Sequence, residues 1–146
     1  MSYSFERKEP IVIGNTVSLD MAASVAKEMG LPLTSMHVRQ FADGEVYHAF
    51  PRSLSNHDLI IIAATPDDSS HQELLDLIAG ARYWNALSVN VVIPYLGYST
   101  MERAKPESGE IPKGITRTRQ IFRARPDYVA FVDLHSEAVM HAHTGE

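Results

Sequence analysis

Short apolar runs alternate along this chain with segments whose apolar residues recur at helical spacing. Ile11-Val12-Ile13 ends at Gly14-Asn15, the pattern of a buried strand entering a loop. Ser18 and Asp20 then suit a helix start. Met21, Ala22, Val25, Ala26 and Met29 recur near a period of 3.6, and Gly30 provides a stop. Leu31 to Phe41 alternates loosely and predicts a strand. Asp43-Gly44 is a strong turn signal, and Val46 to Phe50 follows as the return strand of a hairpin. Pro51 to Asn56 reads as a loop, Leu59 to Ala64 as a strand covered on both faces, and Thr65 to Ser70 as a turn. Leu74, Leu75, Ile78 and Ala81 predict a helix over 71–84, and Val89 to Ile93 predicts a second buried strand. Residues 94–114 hold three prolines and three glycines and read as a long loop or β-flap. Ile115 to Arg125 predicts a short basic helix, and Tyr128 to Val132 a last strand running into Asp133-Leu134-His135.

Strands that alternate with helices and carry no outward polar rhythm predict an α/β fold. Its expected form is a mostly parallel twisted sheet with helices on both faces, plus the β-hairpin or flap. Ligands on such sheets bind beyond the carboxyl ends of the strands. Four polar segments fall at those ends: Gly14-Asn15, Thr65 to Asp68, Tyr95 to Arg103, and Asp133 to His143.

Composition narrows the class without changing that picture. The 146 residues fit a single domain over 1–146, and 45% apolar with 21% charged residues is ordinary for a globular chain. The absence of cysteine excludes a disulfide scaffold and a thiol nucleophile. No apolar run approaches the roughly 18 residues of a membrane span, and Met1 to Lys8 lacks a secretory signal, so the expected location is cytoplasmic. A net charge of −5 argues against a general nucleic-acid partner. The charge is nevertheless uneven, because seven of the 13 basic residues lie between Arg103 and Arg125. Such a stretch suits a phosphate-rich ligand or an acidic partner, or serves as a solvated helix face.

Several groups could carry chemistry. Asp133 and His135 follow a buried strand and could share a metal–phosphate complex, or His135 could be bonded within the fold. His135, Glu137, His141 and His143 could bind zinc or form a tail. Thr65 to Ser70 lacks the glycines of a phosphate loop, and Asp67 and Asp68 would repel an anion, so a capping turn is the better reading. Phe41, Asp43 and Glu45 combine an aromatic face with two acceptors, a set that could hold a nucleobase and its exocyclic amine.

In order, Gly14-Asn15, Phe41-Ala42-Asp43-Gly44-Glu45, Val92-Ile93-Pro94-Tyr95-Leu96-Gly97-Tyr98 and Val132-Asp133-Leu134-His135 resemble the N-terminal half of the ribose-phosphate pyrophosphokinase family. The resemblance runs from about Ile11 to His135. It implies a phosphoribosyltransferase-like fold. It also implies transfer of the β,γ-pyrophosphoryl group of ATP, with Mg2+, onto ribose 5-phosphate, giving phosphoribosyl pyrophosphate and AMP. Phe41, Asp43 and Glu45 would then contribute to the adenine site of a neighbouring subunit, making a homo-oligomer or a synthetase partner the expected assembly. Asp133 and His135 would hold the metal–ATP complex. The usual family pattern after the Pro-Tyr-x-Gly-Tyr segment places an arginine where Thr100 stands. Thr100-Met101-Glu102-Arg103 followed by Gly109-Glu110-Ile111 is similar to the divergent plant-type branch, which assigns the ATP contact to Glu102 and Arg103. The ribose-phosphate loop belongs to the family's second half, so ribose 5-phosphate is expected to bind only with a second domain and the chain alone to be inactive. Two alternatives remain: a non-catalytic, synthetase-associated regulatory subunit, favoured by Thr100, and an unrelated metal-binding module using the C-terminal histidines.

Overall fold

A computed structural model describes residues 5–137 and 139–140. Four parallel strands form the main sheet: β1 (Ile11–Gly14), β4 (Asp58–Ile62), β5 (Ser88–Ile93) and β6 (Tyr128–Phe131), side by side in that order. β2 (His37–Gln40) and β3 (Val46–Ala49) pair antiparallel as a separate two-stranded sheet. The helices are α1 (Leu19–Met29), α2 (Asp68–Tyr83) and α3 (Lys113–Arg123).

The apolar runs are continuous because both faces of the sheet are covered. Ile11, Ile13, Leu59, Ile61, Val89, Val91 and Ile93 point to one face and join Leu74, Leu77, Ile78 and Ile121 of α2 and α3 in the larger core. Val12 and Ile62 point to the other face and pack against Ala22 and Ala26 of α1. Helices therefore occupy both faces, though unevenly. On the α1 side a groove of about 550 Å³ opens over Asn90, Val92 and Tyr128.

Three expectations shift. The strand expected over 31–41 contracts to His37–Gln40, and Leu33 instead makes an isolated parallel bridge to Val12. Residues 94–112 form a loop with one 3-10 turn at Ser99–Met101 and no β-flap, and α3 begins at Lys113. Ser18 stands at the N-cap of α1, but its hydroxyl accepts from the Ala64 N–H at 2.9 Å instead of capping the helix, tying that turn to the end of β4.

Candidate functional site

Because the four strands run parallel, the loops after β1, β4, β5 and β6 lie along one edge. After β1, Asn15 is fully buried and donates to the Ala64 carbonyl at 2.8 Å. After β4, Asp67 caps α2 in a reciprocal capping box, Ser70 N–H donating to its carboxylate and Ser70 Oγ accepting from its N–H. The same Ser70 N–H bond holds the Asp67 carboxyl below its ordinary range. The acidic turn is thus a helix start, as the missing glycines imply.

The loop after β5 is pressed against the loop after β4. Gly97 N–H donates to the Thr65 carbonyl at 2.9 Å, and a Cβ at position 97 would lie 2.0 Å from that oxygen, so only glycine fits. The chain then turns through Tyr98 in a left-handed conformation, φ 61°. Tyr98 lies beneath two cations, Lys113 at 5.2 Å and Arg117 at 5.5 Å from the ring centre. Its hydroxyl donates to Asp68 at 3.0 Å, and Arg117 donates to the same oxygen at 2.9 Å. The Tyr98 bond, with Arg117 behind it, holds the Asp68 carboxyl low, and that bond raises the Tyr98 phenol. Two cations of the basic stretch, both in α3, are therefore arranged around one tyrosine.

Glu102 follows on this edge and packs against the start of α3, where a Cβ on Gly114 would come within 3.2 Å of the Glu102 N. Among the described residues, one Glu102 carboxylate oxygen is buried with no donor in reach, and the Nε–H groups of Arg117 and Arg119 are buried with no acceptor. Arg103 is exposed. After β6, Asp133 adopts φ 49°, and both Asp133 and His135 are exposed. Among the described residues no group of three or more His, Asp or Glu side chains is placed to hold a metal. A carboxylate beside bound phosphates is nonetheless an ordinary magnesium set, since that ion keeps several waters and takes few protein ligands. His141 and His143 lie outside the described residues.

The hairpin stands elsewhere. Arg39 lies directly opposite Tyr47, and Glu45 lies opposite Phe41, whose N–H donates to the Glu45 carbonyl. Strand alternation thus puts Arg39, Phe41, Glu45 and Tyr47 on one face. All four are exposed, with the Arg39 guanidinium 5.1 Å from the Phe41 ring and the Phe41 and Tyr47 rings edge to face at 6.5 Å. Asp43 accepts the Glu45 N–H at 3.1 Å and so helps close the turn. Leu33 bridges to β1, so the hairpin emerges beyond the β1 edge, whereas Glu102, Arg103, Asp133 and His135 follow β5 and β6. Three interstrand spacings separate β1 from β6, about 14 Å. The hairpin thus joins the sheet on its β1 side, while the other candidates follow β5 and β6, and its inward face lines one cleft with Asp67 and Asp68 at the start of α2.

Besides the Tyr98 cluster, sequence reading missed the buried polar residues of α2. Glu73 is buried and accepts from Thr16 N and Thr16 Oγ1, at 3.0 and 2.9 Å, while His48 Nε2 approaches it at 3.4 Å. His71 is also buried, bonded to Gln120 at 2.8 Å, and burial pushes its pKa down. Both were detectable: residues 71 and 73 precede Leu74 and Leu77 by three and four positions, so they share the apolar face of α2.

Comparison with known proteins follows the same outline. The family profile for the N-terminal domain of ribose phosphate pyrophosphokinase matches residues 11–114. A protein of Streptococcus pyogenes serotype M6, provisionally named ribose-phosphate pyrophosphokinase 2, is 33% identical over 142 residues, covering 95% of this chain and 43% of its own length. The ribose-phosphate pyrophosphokinase of Xanthomonas campestris is 30% identical over 137 residues, covering 92% and 43%. The crystal structure of phosphoribosylpyrophosphate synthetase from Mycobacterium smegmatis superposes with a TM-score of 0.82 at 22% identity, covering 95% of this chain and 47% of that one, and shares the fold. The chain spans less than half the length of these relatives.

Proposed function

Since this chain belongs to the ribose-phosphate pyrophosphokinase family, whose N-terminal domain it matches, we propose that it supplies part of an ATP site shared between two copies. In the reaction, the anomeric hydroxyl of ribose 5-phosphate attacks the β-phosphorus of ATP. The bond from that phosphorus to the α,β-bridging oxygen breaks, AMP leaves, and the hydroxyl proton passes to solvent. Positioning and charge stabilisation carry such a transfer. Mg2+, when bound, neutralises the polyphosphate and orients it.

Each candidate residue has a part. Phe41 offers a stacking face, and Asp43 and Glu45 accept from the adenine amine. Arg103 supplies the guanidinium that Thr100 lacks, and Glu102 brings an acceptor that has no donor of its own. At the end of β6, Asp133 and His135 would hold the metal-bound phosphates. Ribose 5-phosphate requires residues of a second domain, so steady AMP release by this chain alone is not expected. The observation that carries the reading is the facing of the hairpin: Phe41 and Glu45 lie on its exposed side, opposite the side His48 turns toward Glu73, so one nucleotide touching them and the β5–β6 edge is most simply held between copies.

Complementation tests this. Phe41→Ala disables the hairpin contribution and His135→Ala the edge contribution, so each variant alone should lose Mg–ATP binding by calorimetry. Mixing them should restore about a quarter of the sites, because random assembly pairs an intact hairpin with an intact edge that often. A strict monomer that binds Mg–ATP, or a mixture with no recovery, would refute the shared site.

A further inference from the structure

We propose that Glu73 is the positioning residue that sets the hairpin relative to the β1–α1 loop, one carboxylate gripping both. The proposal rests on the reading that the hairpin tip meets a nucleotide, but its test does not use a nucleotide, so either can fail without the other.

An isolated two-stranded sheet is at best marginally stable in water, so a hairpin needs a body to lean on. At its base this one has it: Met36 and Phe50 pack on the larger core, and Phe50 lies against Gly80 of α2. Toward the tip the packing stops. Val38 and Val46 are half exposed beside a cleft of about 650 Å³ that separates the hairpin from the first turns of α2. Apolar contact alone therefore leaves the tip free to swing on its base. His48 lies between base and tip on the inward face, with its side chain mostly buried, and reaches across to Glu73.

Glu73 is not held by His48 alone. Its Oε1 accepts from Thr16 N at 3.0 Å and Thr16 Oγ1 at 2.9 Å, and Oε2 lies 3.2 Å from the same N–H. Thr16 lies in the turn directly after β1, next to the buried Asn15. The carboxylate is therefore fixed before it meets the histidine, and it presents Oε1 in a set direction. Hydrogen bonds to a charged acceptor are among the stronger ones in a protein, and burial limits competition from water. Through this group the hairpin, α2 and the β1–α1 loop become one mechanical unit, although Thr16 and His48 are 32 positions apart in sequence.

Residue-resolved amide exchange on the full chain tests the link. Glu73→Ala should speed exchange about tenfold or more at the Thr16 amide and at the Phe41 and Gly44 hairpin amides, while the β4–β5 ladder keeps its protection. Glu73→Gln keeps an acceptor for Thr16 and a polar partner for His48, and should restore most of the protection. His48→Ala leaves the Thr16 bonds in place and should still release the hairpin amides, so it serves equally if Glu73→Ala does not fold. The proposal is overturned if Glu73→Ala and His48→Ala leave the hairpin amides at wild-type rates. It is equally overturned if exchange rises uniformly through the β4–β5 ladder, the mark of a general loss of stability.

Discussion

The parallel sheet and the hairpin solve the same problem by different means. Every strand of the sheet is covered by helix on at least one face, and its central side chains, such as Ile61 and Val91, are fully buried. The hairpin has one exposed face carrying Arg39, Phe41, Glu45 and Tyr47, and its other face is held by two apolar anchors and one histidine. The sheet is fixed by apolar area, which is non-directional and redundant. The hairpin is fixed by a few directional contacts, so single side chains decide its pose. Functional groups can be displayed on such an element because so little of it is committed to the core.

This contrast can be broken first in the sheet. Ile61→Ala, at a fully buried position packed on α2, should cost roughly 2–5 kcal/mol in chemical denaturation. The loss should be global, with sheet and hairpin unfolding together. Equal loss of protection confined to the hairpin would contradict the division.

A polar site at the opposite, amino-terminal edge of the sheet should have a smaller effect. Asp58 is buried, pairs with Arg7 at 2.6 Å and accepts from Ser88. The Arg7 bond, against the cost of burial, holds its carboxyl below the ordinary value of about 4. Its contribution is therefore complete above that value and is lost as the pH falls through the depressed folded value. Asp58→Asn should cost about 1–3 kcal/mol at neutral pH and should flatten the acid limb of the stability curve. An unchanged acid limb in denaturant midpoints would remove Asp58 as its cause.

The smallest of the three sharpens the hairpin side. Gly44 has φ 93°, a conformation that costs any residue with a Cβ. Gly44→Ala should cost about 1 kcal/mol and should be visible in exchange at Phe41 and Gly44 while the parallel ladder is untouched. A lowered midpoint for the whole chain would show that the hairpin and sheet are more tightly coupled than their contacts suggest.

The sheet was legible because its signal is repeated. Continuous runs at 11–13, 59–64 and 89–93 each imply double coverage, and the helical spacing between them leaves few topologies. The turn at Asp43-Gly44 was equally plain. Leu31 to Phe41 was not, because loose alternation cannot separate a strand from an extended link that meets β1 at Leu33 and Thr34. The candidate residues Phe41, Asp43, Glu45, Glu102, Arg103, Asp133 and His135 were nameable from residue types at turns and strand ends and from the family likeness. The outward facing of Phe41 and Glu45 was not legible, since which face of the hairpin packs on α2 is a long-range property. Nor was the Tyr98 cluster. Asp68, Tyr98 and Arg117 come from three different segments, and nothing local in any of them marks the meeting.

β1 and β4 are hydrogen-bonded neighbours, yet everything from Asn15 to His57, α1 and the hairpin included, lies between them. From the sheet's side this is one long closure. The entropy of closing a chain grows only logarithmically, so even doubling such a connection adds about 0.6 kcal/mol. The hairpin can therefore lengthen, shorten or change its exposed residues at little expense to the sheet.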